Sequence, residues 1–218
     1  MIKMITEKEF IRCINNAKLN TDNSELLHNI LLSADEESRT FNLNTDNGVN
    51  LTPLETIALR IRDGNKKKTS MLFPEIEVTH NKDDTITIEG KLTDWLQDVI
   101  GAVKEIPPGI YAEGRNSIYT ADMYMLLKPY LSSNRKIGAL RIEIGIDELR
   151  EILGTQDKYE RLSQLKDKVL KPSLFVLSNA YKTNIDYTCV SGGGRTVKSV
   201  VFSISDIKPI KIGGKRNE

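Results

Sequence analysis

The chain has 218 residues, 39% hydrophobic and 28% charged, enough apolar sequence for one large core or two small ones. Its 31 Lys and Arg nearly cancel its 30 Asp and Glu, so whole-chain charge offers no argument for a nucleic-acid partner. No segment approaches the roughly 20 apolar residues of a bilayer-spanning helix, and Cys13 and Cys189 have no Cys or His at metal-ligand spacing, so a reduced, cytoplasmic, two-domain protein without disulfide, metal, cofactor or membrane contact is expected.

In chain order, Phe10, Ile11 and Ile14 share one face of a helix over 7–17. Leu26, Leu27, Ile30 and Leu31 do the same over 25–32, with Asn20, Asn23 and Ser24 between the two helices as cap residues. The alternating run RTFNLNT predicts a strand or hairpin near 40–44. LTPLETIALRIR predicts a helix over 51–62, with Thr52 as N-cap, Pro53 at the first position and Glu55 in a capping box. It ends at Asp63-Gly64, before a basic loop over 65–68. FPEIEVTH and TITIEG alternate on either side of KDD and predict a hairpin within 71–90. Trp95, Leu96, Val99 and Ile100 predict a helix over 92–103, with Trp95 in the core rather than stacked on a base. EIPPGIYAEGRN, with two prolines and two glycines, is the expected linker, 105–116, closing an N-terminal domain of residues 1–104.

The second half reads as a helix over 120–131 with Thr120 as N-cap, a strand over 138–144, and the helix IDELREIL capped by Asp147. A Gly turn, the long basic helix KYERLSQLKDKVLKPSLFVLSNAYK and two strands joined by SGGGR follow. Helix, turn, helix and a two-stranded wing is the order of a winged helix. This C-terminal domain is expected to span 117–210, with a basic tail at 211–218. Charge is segregated accordingly: residues 156–218 carry twelve Lys or Arg against six Asp or Glu, and residues 1–155 carry nineteen against twenty-four.

On the long helix, Leu162, Leu165, Val169, Leu170, Leu174, Val176 and Leu177 form an apolar face toward their own domain. Lys158, Arg161, Ser163, Gln164, Lys166, Asp167, Lys168 and Lys171 are left to face outward. Arg161 suits a bidentate guanine contact and Gln164 an adenine contact, while Lys166, Lys168 and Lys171 suit phosphates or simply solvent. Pro172 lacks the amide that would bond the Lys168 carbonyl and should bend or break the helix, leaving 159–170 as the DNA-facing piece. At the wing, three glycines permit close backbone approach, and Arg195 and Lys198 supply charge for the DNA backbone or minor groove.

SIYTADMYMLLKPY, a short strand, IDELREILG, KYERLSQLKDKVLKPSLFVLSNAY and GGGRTVKSVVFSI together resemble the second winged helix of the iteron-binding plasmid replication initiators. The resemblance runs over 117–204, and Tyr159, Leu162, Leu165, Lys166, Val169, Leu170 and Pro172 fall on the family's pattern. It implies an α+β protein of tandem winged-helix domains, the first serving dimerisation and the second reading direct repeats in double-stranded DNA at a replication origin. It implies a host replication helicase or loader as partner. FPEIEVTHNKDDTITIEGKLTDWLQDVI resembles the end of the family's first domain, but 51–70 holds no convincing recognition helix, so the first winged helix is expected to be shortened or degenerate.

Catalytic readings find little support. His28 and His80 are far apart and lack the histidine cluster that a metal-dependent nickase needs. Neither GxxxxGK[ST] nor a strand-following GxGxxG occurs, and Gly192 to Gly194 lie between strands rather than ahead of a helix. The expected function is therefore sequence-specific DNA binding that starts plasmid replication by recruitment and origin melting, not an enzymatic step. A winged-helix transcriptional regulator that binds an inverted repeat as a dimer shares the same residues, as does a protein-interaction module whose basic face meets an acidic partner.

Overall fold

The first helix starts where the chain can satisfy its own amides. In the computed structural model, which describes residues 4–63, 66–111, 119–131, 140–193 and 196–206, α1 (Glu7–Ala17) opens with a reciprocal capping box. The Glu9 amide donates to Thr6 Oγ1 at 3.2 Å, and the Thr6 amide donates to the Glu9 carboxylate at 2.9 Å. Lys18 closes the helix in the left-handed region, φ 55°. α2 (Thr21–Ser33) begins earlier than its apolar residues indicate, because Asn20 alone is its N-cap, accepting from the Asn23 amide at 2.8 Å. Asn23 and Ser24 are buried in its first turn rather than lying between helices.

The largest departure from the sequence reading is over 51–71. The helix there is one turn, α3 (Thr52–Glu55), capped by Leu51 with no side-chain bond. The chain then runs into β2 (Ala58–Asp63), paired antiparallel with β3 (Lys66–Met71), where a basic loop was expected. Leu59 and Ile61 are buried while Arg60 is exposed, so a period of two governs a segment whose apolar residues also fit a helix. β4 (Glu75–His80) and β5 (Thr85–Lys91) form the expected hairpin, and β5 also pairs with β1 (Thr40–Asp46), giving the order β1-β5-β4. The helix expected over 92–103 is divided into a 3-10 turn, Asp94–Leu96, and α4 (Ile100–Lys104). Its start is held extended, the Leu92 amide donating to the Arg39 carbonyl at 2.9 Å and the Thr93 amide to that of Leu72 at 3.0 Å. Leu96, Ile100 and Val103 are nonetheless buried, and Trp95 packs half-buried on the core.

In the second half, α5 (Thr120–Leu131) is followed by β6 (Leu140–Gly145) and α6 (Ile146–Ile152), whose N-cap is Gly145, with Asp147 inside the first turn. Then come α7 (Leu162–Leu165), a π turn (Lys166–Leu170), α8 (Lys171–Tyr181), β7 (Thr183–Ser191) and β8 (Val197–Asp206). β8 pairs with both β6 and β7, giving the order β6-β8-β7. Each half thus has an antiparallel sheet in which the last strand lies between the other two.

One hydrophobic cluster runs through both halves. α1 packs on α5, where the Asp122 side chain, 1% exposed, takes Lys8 and Arg12 as partners and Glu7 pairs with Lys128 at 2.8 Å. Tyr124 stacks on Tyr181 with centroids 6.4 Å apart. The described part of the expected linker is packed too. A 3-10 turn, Pro108–Ile110, lies against α2 and α8, with Ile106, Ile110 and Tyr111 fully buried. Residues 112–116 and the basic tail 211–218 lie outside the described residues.

Candidate nucleic-acid interface

The basic surface of the C-terminal half begins in the turn between α6 and α7. After Ile152 the chain closes α6 with Leu153 and turns through Gly154 at φ 60°, which an L side chain would resist. Thr155 is fully buried, and its amide donates to the Arg150 carbonyl at 2.8 Å. Tyr159 then adopts φ 54°. A residue in the left-handed region cannot continue a right-handed helix, which is why Lys158 and Arg161, expected on the long helix, precede it. Lys158 is exposed in the turn, and Arg161 is the N-cap residue of α7, with its backbone extended and its carbonyl accepting from the Gln164 amide at 3.0 Å.

From Leu162 onward the apolar set is seated as its spacing requires. Leu165, Val169, Leu170, Leu174, Val176 and Leu177 are buried, and Leu162 packs at the edge. Pro172 does not end the helix, which runs on without a break to Tyr181. The helix widens ahead of it into the π turn, where the Lys171 amide bonds the Lys166 carbonyl five residues back. This accommodates a ring that would otherwise collide with the carbonyl of Lys168.

Ser163, Gln164, Lys168 and Lys171 are exposed and Lys166 partly so. Lys171 and Asp167 form an i,i+4 ion pair at 2.7 Å, with side chains 63% and 58% exposed. The hydrogen bond and charge of Lys171, with Lys168 and Lys166 nearby, hold the Asp167 carboxyl below its ordinary range, and the same pair raises Lys171. Phe175, 48% exposed, continues this face one turn further on. Tyr187 on β7 is half-buried within reach of the Lys171 charge. On the wing, Lys198 is exposed, and a Cβ at Gly192 would stand close to the Lys198 Cβ, at 3.2 Å. Gly193 has φ 108°. Arg195 lies outside the described residues.

The structure therefore groups the candidates in three places: Lys158 and Arg161 in the turn, Ser163 to Lys171 on the helix, and Lys198 on the wing. Arg150, Phe175 and Tyr187 were not singled out in the sequence, and the left-handed backbone of Tyr159, itself named there, was not foreseen. Of the three, Phe175 carried a signal, an aromatic next to outward positions. Among the described residues no group of three or more His, Cys, Asp or Glu could hold a metal, and no helix is long and apolar enough to cross a membrane.

Residues 145–204, from the N-cap of α6 into β8, match the family model described as initiator Rep protein, WH2. This segment is similar to the winged-helix domain of initiator Rep proteins. The match covers the turn after α6, the helix from α7 through α8, and the β7-β8 hairpin together. A crystal structure of the Pi initiator protein in complex with iteron DNA matches with a TM-score of 0.50 and 15% identity, covering 90% of this chain and 95% of that one. That likeness concerns the fold, and it extends well beyond residues 145–204. No curated protein sequence matches the chain.

Proposed function

We propose that the chain is a sequence-specific, double-stranded DNA-binding initiator of plasmid replication, with its C-terminal winged helix reading repeats at an origin. The observation that carries this reading is the exposed, lysine-rich face of the π turn and α8, set beside a wing in a domain of the initiator Rep family. Leu165, Val169, Leu170, Leu174 and Leu177 are committed to the core, so Gln164, Lys168 and the Asp167-paired Lys171 face outward toward a major groove, with Lys158, Arg161 and Lys198 at its margins.

Two finer points belong to the same proposal. The first half is a second winged helix that has kept its sheet, since β1-β5-β4 repeats the order of β6-β8-β7, but has exchanged its helix-turn-helix for α3 and the β2-β3 ribbon. That half serves dimerisation and contact with the host helicase or loader, and the protein acts in the cytoplasm by recruitment and origin melting, without a catalytic step. Selection of bound duplexes from a random pool tests the reading. One enriched motif that is lost with Arg161→Ala supports it, and tandem copies of that motif at an origin distinguish an initiator from a regulator. Absence of enrichment by the parent chain contradicts it.

A further inference from the structure

Arg150 lies in the last turn of α6, and its two terminal nitrogens donate to four backbone carbonyls. Nη1 reaches Thr155 at 3.2 Å and Lys158 at 3.0 Å, and Nη2 reaches Tyr159 at 2.9 Å and Glu160 at 3.3 Å. Only a planar guanidinium presents enough donors, in a fixed fork, to satisfy four carbonyls in one plane of approach. The turn so held is strained at Tyr159, φ 54°, whose ring meets that of Tyr119 edge-on with centroids 6.0 Å apart and whose hydroxyl accepts from the Tyr119 hydroxyl at 3.4 Å. The four donors of its terminal nitrogens are used on the protein's own backbone. The turn they hold carries Lys158 and leads to Arg161 at the start of α7.

We propose that Arg150 is a positioning residue for base readout, fixing the turn that aims Lys158, Arg161 and the start of α7 at DNA. The inference rests on the proposed DNA-reading function. Its physical basis is that the reading helix is anchored elsewhere, by Leu165, Val169 and Leu170, all fully buried. Loss of the clamp should therefore leave the domain folded and loosen only the turn. Lys158 and Glu160 are exposed, so water can take over their carbonyls in a variant, but water does not impose a single backbone path on residues 155–160.

The test uses the full chain, a duplex carrying the motif that the parent selects, and a scrambled duplex of equal length. Arg150→Gln should lower the ratio of cognate to scrambled affinity by about tenfold or more, comparable to one base contact. It should leave scrambled-duplex affinity and its salt dependence within about twofold of the parent, because no phosphate contact is removed. Arg150→Lys should recover part of the ratio, since an ammonium reaches fewer of the carbonyls. A purely structural Arg150 would lower the melting temperature and leave the ratio unchanged at equal folded fraction, and that result overturns the proposal. If Arg150→Gln does not fold, Arg150→Lys decides: undiminished discrimination overturns the proposal and partial loss supports it. A parent chain with no preference for any duplex overturns the DNA-reading function, and with it this inference, before a variant is made.

Discussion

Between β1 and β4 the chain builds one turn of helix and a two-stranded ribbon, whereas between β6 and β7 it builds a helix, a clamped turn and a long helix through a π turn. The flanking sheets have the same strand order. A three-stranded sheet of this order is therefore a framework that holds its shape through its own register and apolar face, whatever is carried between its strands. What sits there sets the kind of surface presented. The ribbon brings Arg60, Lys66, Lys67 and Lys68 into an otherwise acidic half. The helix brings lysines together with Gln164 and Ser163, side chains that can distinguish bases. A ribbon of charge can attract DNA, but specificity requires base-edge chemistry on a rigid element.

The sharpest way to break this comparison is to cut the anchors. Leu170 and Leu59 are both fully buried, and truncation of either to alanine should cost about 2–5 kcal/mol. Leu170→Ala should also abolish duplex recognition, while Leu59→Ala leaves binding per folded molecule intact. Urea unfolding, with binding read at matched folded fraction, separates the two. Next in size is a charge swap. Lys168→Glu with Lys171→Glu should reduce the salt slope of duplex binding by about two. The matched ribbon variant, Lys66→Glu with Lys67→Glu, should leave motif preference unchanged. Equal loss of preference from both would erase the distinction between the halves.

Smaller effects probe the helix surface itself. Pro172→Ala restores an amide and removes the cause of the π turn, so Lys166 and Lys168 should rotate relative to the bases. Motif discrimination is expected to fall about tenfold while thermal stability holds or rises, and melting curves paired with competition binding would show it. The smallest change is Asp167→Asn. It releases Lys171 and removes a negative charge from the interface, so scrambled-duplex affinity should rise and the salt slope steepen by about one. Asp167 is held below its ordinary pKa, so the parent's ion pair is fully formed above the ordinary carboxylate value of about 3.9 and is lost as pH falls through the lowered folded value. The gap in scrambled-duplex affinity between parent and Asp167→Asn should accordingly be flat near neutral pH and close only in strong acid.

Much of the second half was legible in the sequence because local and tertiary preferences agree there. Leu165, Val169, Leu170 and Leu177 are spaced for one helical face and are buried on it, and the wing alternates on either side of its glycines. Over 51–62 they conflict. Leu51, Leu54, Ile57 and Ile61 fit a helix, but Leu59 and Ile61 also fit a strand, and the partner strand that decides between them, Lys66–Met71, looks like a basic loop in isolation. The start of the reading helix was misplaced for a different reason. KYER has good helical propensity, and what stops it is a side chain eight residues back from Lys158, the Arg150 guanidinium bonded to the turn's carbonyls. No local pattern announces such a contact.

The most direct test of the claim that sequence is read by the C-terminal helix is site-specific photo-crosslinking of the full chain to its selected duplex. A photoreactive residue would replace Gln164 in one protein and Thr69, on the exposed face of the ribbon, in another. Crosslinks from position 164 to bases within the motif, with position 69 giving none to bases, are the predicted result. Base crosslinks from position 69 with none from position 164 would place the reading surface in the other half and contradict the account.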